Sequence, residues 1–194
     1  MADIRHSSPV TGDILKNEGV AASAARRRKL LTAAYFLLIS AVMIGLCSRC
    51  SPLYPFNNWN DANCFFTTGK AMFSGKVVYR DIYEQKGILL YFLYGLCYLV
   101  SNKTFLGVYI LEVLCLTGFL ALAYDSALLF LRRRTALILM PIAAAVLCGS
   151  YSFYYGGSVE ELELALVYLP ICCMLKSYFK NGGCIPSPRV IFVL

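Results

Sequence analysis

Residues 57–87, NNWNDANCFFTTGKAMFSGKVVYRDIYEQKG, form the longest stretch before Phe153 that a lipid bilayer would not accept. They carry Asp61, Asp81 and Glu84, the single Trp, and a close cluster of Gly, Tyr, Lys and Arg. On both sides the chain turns strongly apolar, at residues 30–47 and again from Ile88. Reading 57–87 as a polar loop between membrane helices decides the fold class. Composition agrees: of 194 residues 59% are hydrophobic and only 15% charged, whereas a soluble domain is about half apolar and about a quarter charged. Several apolar runs reach the roughly 20 residues that a helix needs to cross a bilayer. The sequence therefore predicts an all-α, multi-pass transmembrane helical bundle, with juxtamembrane helices in the first outer loop.

The basic residues set the expected topology. The formal charge is +7, but Lys and Arg sit in short clusters beside apolar runs, which fits orientation signals rather than a nucleic-acid face. Arg26, Arg27, Arg28 and Lys29 precede the first run, Arg132, Arg133 and Arg134 follow another, and Lys176, Lys180 and Arg189 bracket a Gly/Pro-rich linker. Residues 1–29 read as a mobile cytoplasmic tail and 30–194 as a transmembrane domain. Spans are expected at about 30–48, 104–131, 135–152 and 162–179, with an outer loop at 49–103 and a cut-off span from 190. Residues 88–100 are too short for an ordinary span and read as a helix that dips in from the outer face and returns. That choice keeps all basic clusters cytoplasmic and brings Asp61, Glu84, Glu160 and Glu161 to the outer face of a plasma (inner) membrane. A full crossing would strand the Arg triplet outside.

Within the loop, the spacing of Trp59, Ala62, Phe65, Phe66, Met72 and Phe73 predicts a surface helix ending near Ser74, with Gly75 as the stop. Asp61 falls in its first turn, where the helix dipole favours a carboxylate; it reads either as a helix cap or as a reactive group. Residues 79–87, YRDIYEQKG, put both signs of charge beside an apolar dip. There Lys86 and Arg80 are placed to meet a lipid phosphate, or Lys86 and Tyr83 simply anchor the loop at the interface. Glu112 stands inside an apolar span, either as a functional acid or as a carboxyl hydrogen-bonded to a neighbouring helix. Asp125 is placed to pair with the Arg132 triplet, and Glu163 to sit at the outer membrane edge. Of nine cysteines, most lie in apolar runs and read as small apolar side chains; Cys47, Cys50 and Cys64 are available for pairing in an oxidising compartment. One C-x-x-C without a second such pair, and a single His, argue against a zinc site.

The order of these features resembles the first outer loop of the GT-C superfamily of polyprenyl-phosphate-sugar-dependent glycosyltransferases. It runs apolar anchor, Asn60-Asp61-Ala62-Asn63, one helix, Gly75-Lys76-x-x-Tyr79-Arg80-Asp81, Tyr83-Glu84-Gln85-Lys86-Gly87, then LLYFLYG. Aminoarabinose transferases and protein O-mannosyltransferases are the nearest in pattern. The resemblance implies that Asp61 is the carboxylate that activates or orients the acceptor and that Lys86, with Glu84 beside it, contacts the donor phosphate. It implies that Glu160 or Glu161 is the second acidic position. The pattern departs at Ala62, where the family has a second acid, at Gly87-Ile88, where it has a proline pair, and at Tyr109, where Arg is frequent. It implies an inverting enzyme with a polyprenyl-phosphate-linked sugar as donor and no certain cofactor, a divalent metal being left open. It also implies that these 194 residues are the N-terminal part of a longer chain and are inactive alone. Chemistry adds that inversion needs a base at the acceptor and a cation at the departing phosphate, with Lys86 and Arg80 as the candidate cations. Two other classes share this composition: a small transporter component using Glu112, and a non-enzymatic membrane scaffold subunit.

Overall fold

A computed structural model describes residues 9–180 and 182, with side chains from Gly19 onward. The described residues form six helices: α1 (Pro9–Cys47), α2 (Asn60–Phe73), α3 (Ile88–Val100), α4 (Leu106–Ala127), α5 (Arg133–Cys148) and α6 (Val159–Lys180). Among the described residues there are no strands beyond an isolated bridge between Val78 and Ile82. Among the described residues, three helical stretches are long and apolar enough to cross a bilayer: Gly19–Cys47, Leu106–Ala127 and Val159–Lys180. The fold is all-helical and suited to lipid.

The chain divides into two compact units, Met1–Tyr35 and Phe36–Leu194. In the first, helix begins at Pro9 and runs through residues expected to form an irregular tail. Ala21, Ala22, Ala24 and Ala25 supply the reason, since alanine has the highest intrinsic helix propensity. Residues 1–8 of that tail and the apolar run from 190 lie outside the described residues.

In the second unit, cross-helix contacts give the directions of the helices. Ser48 meets Glu112, the Tyr109 hydroxyl donates to Ala41 O at 3.0 Å, and Phe36 packs edge-on against Tyr124 at 5.3 Å. The end of α1 and α4 are thus antiparallel. α4 and α6 instead run parallel: Phe119 meets Tyr168 at 5.2 Å, the Cys172 thiol meets Leu122 O at 3.6 Å, and Phe130 meets Phe179 at 4.9 Å. The starts of α4 and α6 therefore share one end of the bundle with the close of α1. Everything between Ser48 and Glu112, including α2 and α3, returns the chain to that end. The Arg132, Arg133 and Arg134 triplet belongs to the opposite end.

Parallel packing of α4 and α6 obliges the intervening segment to travel back the length of α4, 22 residues or about 33 Å. α5 has 16 residues, about 24 Å, and contains Pro141. This is shorter than the expected span at 135–152, because the apolar run outlasts the helix: Gly149 caps it and residues 149–154 turn. The flanking turns cover the remaining distance. Asp125 does not pair with the Arg triplet. Its partner is Lys176 at 2.6 Å, brought alongside by the parallel register of α4 and α6.

α2 and α3 form the bundle's cap at the Ser48 end. Asp61 in the first turn of α2 and Lys70 in its last both suit the helix dipole, and Gly75 at φ +87° takes the left-handed conformation that ends the helix cheaply. The two helices cross in backbone contact: a Cβ on Gly69 would lie 2.6 Å from Gly95 N and 2.7 Å from Tyr91 O. Small residues allow such close approach where lipid offers no hydrophobic drive for helix pairing. Phe65 then reaches Tyr94, their rings 5.7 Å apart and near perpendicular, in a core with Tyr91, Val108 and Leu162.

Candidate functional site

A cluster of buried polar side chains gathers at the Ser48 end. Ser48, one residue past α1, is fully buried, and its hydroxyl lies 2.9 Å from both Glu112 oxygens. The same oxygen accepts the Cys50 N–H at 3.1 Å. Glu112, also fully buried, further accepts the Gly157 N–H. That N–H is shared with Glu161 Oε2 at 3.1 Å, which sets the Glu112 and Glu161 carboxyls on one donor. The buried Tyr94 hydroxyl donates to Gly157 O at 2.6 Å. One short loop is therefore tied to α1, α3, α4 and α6.

Glycine makes this knot possible. Gly156 and Gly157 have φ of +82° and +72°, a region that costs other residues about 1–2 kcal/mol. A Cβ on Gly157 would stand 2.8 Å from the Tyr94 hydroxyl and 3.2 Å from Cys50 Sγ. Cys50 sits beneath the loop, accepting from Asn57 Nδ2 at 3.3 Å, and burial pushes its thiol well above the usual range. Cys47, Cys50 and Cys64 are all free thiols, so the pairing considered for them is not formed.

Asp61 lies nearby but outside the knot. It is exposed, and it does not cap α2: the cap position is Trp59, without a side-chain cap bond. The turn is held by Asn57 Oδ1, which accepts the Trp59 N–H at 2.9 Å, and by Asn63, which donates to Asn57 O and Trp59 O at 2.9 and 2.8 Å. The Trp59 ring stands 5.9 Å from that of Tyr154. The Tyr154 phenol is raised above its ordinary value, first by Tyr155 and in smaller part by Tyr151 and Asp61, so the Asp61 carboxylate is within electrostatic reach. Tyr155 continues the aromatic run at 4.3 Å. The Arg49 guanidinium stacks on Tyr155 at 5.9 Å and on Tyr54 at 4.4 Å.

Two cavities open here. One, of about 300 Å³, has Ile44, Leu116, Leu147 and Leu164 among its apolar walls, and Glu160, Glu161, Ser150 and Ser152 as its polar groups. The other, of about 450 Å³, is lined by Arg49, Lys103, Asn57, Asn63, Tyr54 and Phe105 among others, with no carboxylate. Acidic and basic groups thus face separate spaces. Among the described residues, no group of three or more His, Cys, Asp or Glu is placed to hold a metal ion.

The sequence-expected residues divide accordingly. Glu161 joins Glu112, and Glu160 lines the smaller cavity. Lys86, Arg80 and Glu84 line neither cavity. Arg80 is taken up by its neighbour Asp81, Nε to Oδ1 at 2.9 Å, and Glu84 Oε1 accepts the Gln85 N–H at 2.7 Å. The Lys86 backbone is fixed on both sides, its N–H donating to the Tyr91 hydroxyl at 2.8 Å and its carbonyl accepting from Tyr79 at 2.5 Å. Tyr79 and Tyr154 are the non-glycine residues with positive φ among those described, +69° and +52°. Backbone held in such sparsely populated conformations concentrates at functional sites. Ser48, Arg49, Tyr94, Lys103 and the Gly156-Gly157 pair carried no signal in the sequence beyond their residue types. Double glycine between aromatic and acidic residues was the nearest to one. No family model, no curated protein and no solved structure matches this chain.

Proposed function

We propose that this end of the bundle is a glycosyl-transfer site, facing the non-cytoplasmic side of a plasma (inner) membrane and using a polyprenyl-phosphate-linked sugar as donor. The observation that carries the reading is the meeting of two separate segments around one aromatic run: Trp59 against Tyr154, and Tyr155 against Arg49. Asp61 acts electrostatically on Tyr154, and Arg49, over the Tyr155 ring, lines the basic cavity. Inverting transfer requires a base at the acceptor hydroxyl and fixed positive charge at the leaving phosphate. Asp61, exposed and unburdened by a cap bond, is suited to the first role. Arg49 and Lys103, facing a cavity of about 450 Å³ without a competing carboxylate, suit the second better than Arg80, whose charge Asp81 already meets. Lys86 remains a candidate for a more peripheral phosphate contact. The rings of Trp59, Tyr151 and Tyr154 supply flat apolar faces of the kind that small-molecule sites place around a few polar groups.

The test is transfer from a labelled polyprenyl-phosphate sugar in membranes containing the full protein. Asp61→Asn should lower turnover by about 10²–10⁴, the range for a lost general base, and Arg49→Gln should raise the donor KM. Unchanged turnover in Asp61→Asn would sink the proposal. The buried Glu112–Glu161 pair favours a second reading, a proton- or ion-coupled transporter component, since intramembrane acids often mark such pathways. That reading expects solute uptake to be lost in Glu112→Gln and retained in Asp61→Asn.

A further inference from the structure

The end of the bundle opposite Ser48 carries a charge pattern that the described residues do not balance. α4 has 22 residues, about 33 Å, close to the roughly 30 Å of hydrocarbon in a bilayer. Crossing the membrane, it sets residues 128–134 at a headgroup layer. Arg132, Arg133 and Arg134 follow its end and are exposed. Phe130 packs against Phe179, ring centroids 4.9 Å apart, which brings the exposed Lys180 at the close of α6 to the same place. Among the described residues of this unit, the single carboxylate at this end is Asp125, and Lys176 already meets it at 2.6 Å. The other cations are in excess. Arg133 and Arg134 also occupy the first turn of α5, which has no acidic residue, and positive charge there opposes the helix dipole. The first turn of α6, by contrast, holds Glu160 and Glu161. Apolar surface adjoins these cations: Phe130 is 64% and Phe179 44% exposed, and Leu128, Leu131 and Tyr178 are exposed next to them in the chain.

We infer that this end binds an anionic phospholipid, its phosphate held by Arg132, Arg134 and Lys180 and its acyl chains lying along the Phe130–Phe179 pair. Arginine's planar fork matches a phosphate bidentately, and the negative charge offsets both the excess cations and the α5 dipole. A free phosphate would meet the same cations without the rings, and a single exposed ion pair contributes little. Confinement in the bilayer beside an apolar surface makes a lipid the occupant. The site is independent of the transfer reading, whose residues lie at the Ser48 end.

Lipid binding to the detergent-purified full chain, titrated by native mass spectrometry, is measured with phosphatidylglycerol and with phosphatidylcholine of the same acyl chains. Phosphatidylglycerol should bind saturably, at a concentration roughly ten-fold or more below that needed for phosphatidylcholine, and glycerol phosphate at equal concentration should not displace it. Arg132→Gln/Lys180→Gln should weaken phosphatidylglycerol about 25-fold, at about five-fold for each surface charge, and leave phosphatidylcholine unchanged. Lys70→Gln/Lys76→Gln removes the same charge from exposed positions at the Ser48 end and should leave both lipids unchanged. Equal affinity for the two lipids in the wild-type chain, which needs no variant to fold, would overturn the assignment. So would equal losses in the two double variants, or displacement by glycerol phosphate.

Discussion

Replacing Gly157 by Ala, with Gly75→Ala as its partner experiment, tests whether the loop at residues 149–158 is held by the buried polar knot. Both glycines have positive φ, +72° and +87°, so each substitution pays the left-handed penalty of about 1–2 kcal/mol. Part of it, about 0.4–1 kcal/mol, is offset by the lower entropy of the unfolded chain. At Gly75 nothing lies within 4 Å of the new methyl group, so the net cost should be about 1 kcal/mol. At Gly157 the methyl group meets the Tyr94 hydroxyl at 2.8 Å and Cys50 Sγ at 3.2 Å. Tyr94 is fully buried and its hydroxyl is bonded to Gly157 O at 2.6 Å, so it has nowhere to retreat. Overpacking of a close-packed interior adds about 1–3 kcal/mol, and disturbing that hydrogen bond about 1 kcal/mol more. Gly157→Ala should therefore cost about 3–5 kcal/mol in total. Equilibrium unfolding in mixed detergent measures both variants. The double variant Gly157→Ala/Tyr94→Phe should cost less than the sum of its singles, because the hydroxyl causes the overlap. Equal costs at Gly75 and Gly157, or strict additivity with Tyr94→Phe, would refute the packing described.

Ser48→Ala removes the donor to both Glu112 oxygens and should destabilise the bundle by about 1–3 kcal/mol in the same assay, with Ser48→Thr milder. Gly69→Leu should separate α2 from α3 altogether, read as loss of protease resistance at residues 57–87 while the α4–α6 pair stays protected. The Asp81 carboxyl is held below the usual range, first by Arg80 and then by the Val77 N–H. A lowered folded value means its contribution is present above the unfolded pKa of about 3.9 and is lost as pH falls through the folded value. Protection of the Val77 amide from exchange, corrected for the intrinsic rate, should accordingly fall below pH 4, and in Asp81→Asn it should be low at every pH. For orientation, Ser101→Cys should be labelled from outside intact cells and Arg133→Cys only after permeabilisation; the reverse pattern would place the carboxylate end in the cytoplasm.

Local features of this fold were legible in the sequence and long-range ones were not. α2 could be delimited to within a residue because its apolar spacing, first-turn Asp61 and terminal Gly75 all act within a few positions. That residues 88–100 form a helix too short for an ordinary span was also legible, from a length count. The Gly69–Gly95 contact left no trace, since a residue without a side chain has no periodicity to read. Asp125 shows the same limit from the other side. Its sequence neighbours are the Arg triplet, but its partner is Lys176, and only the parallel register of α4 and α6 brings them to 2.6 Å.

Glu112 shows how far burial reasoning reaches on its own. A carboxyl inside an apolar helix announces a partner, because leaving it alone in lipid costs several kcal/mol, yet nothing in residues 104–131 names that partner. The fold supplies two donors, Ser48 and Gly157, 64 and 45 positions away, and sets Glu161, 49 positions away, on the same Gly157 N–H. Each comes from an element whose end was already fixed for other reasons, α1 by the loop that follows it, α6 by its pairing with α4, and the Gly-Gly turn by two positive φ values. The acid thus acts as a clasp on helix ends that packing brings together. Asp61 and Arg49 lie outside the clasp, Asp61 exposed and Arg49 half-buried, while Glu112 and Ser48 are fully buried within it.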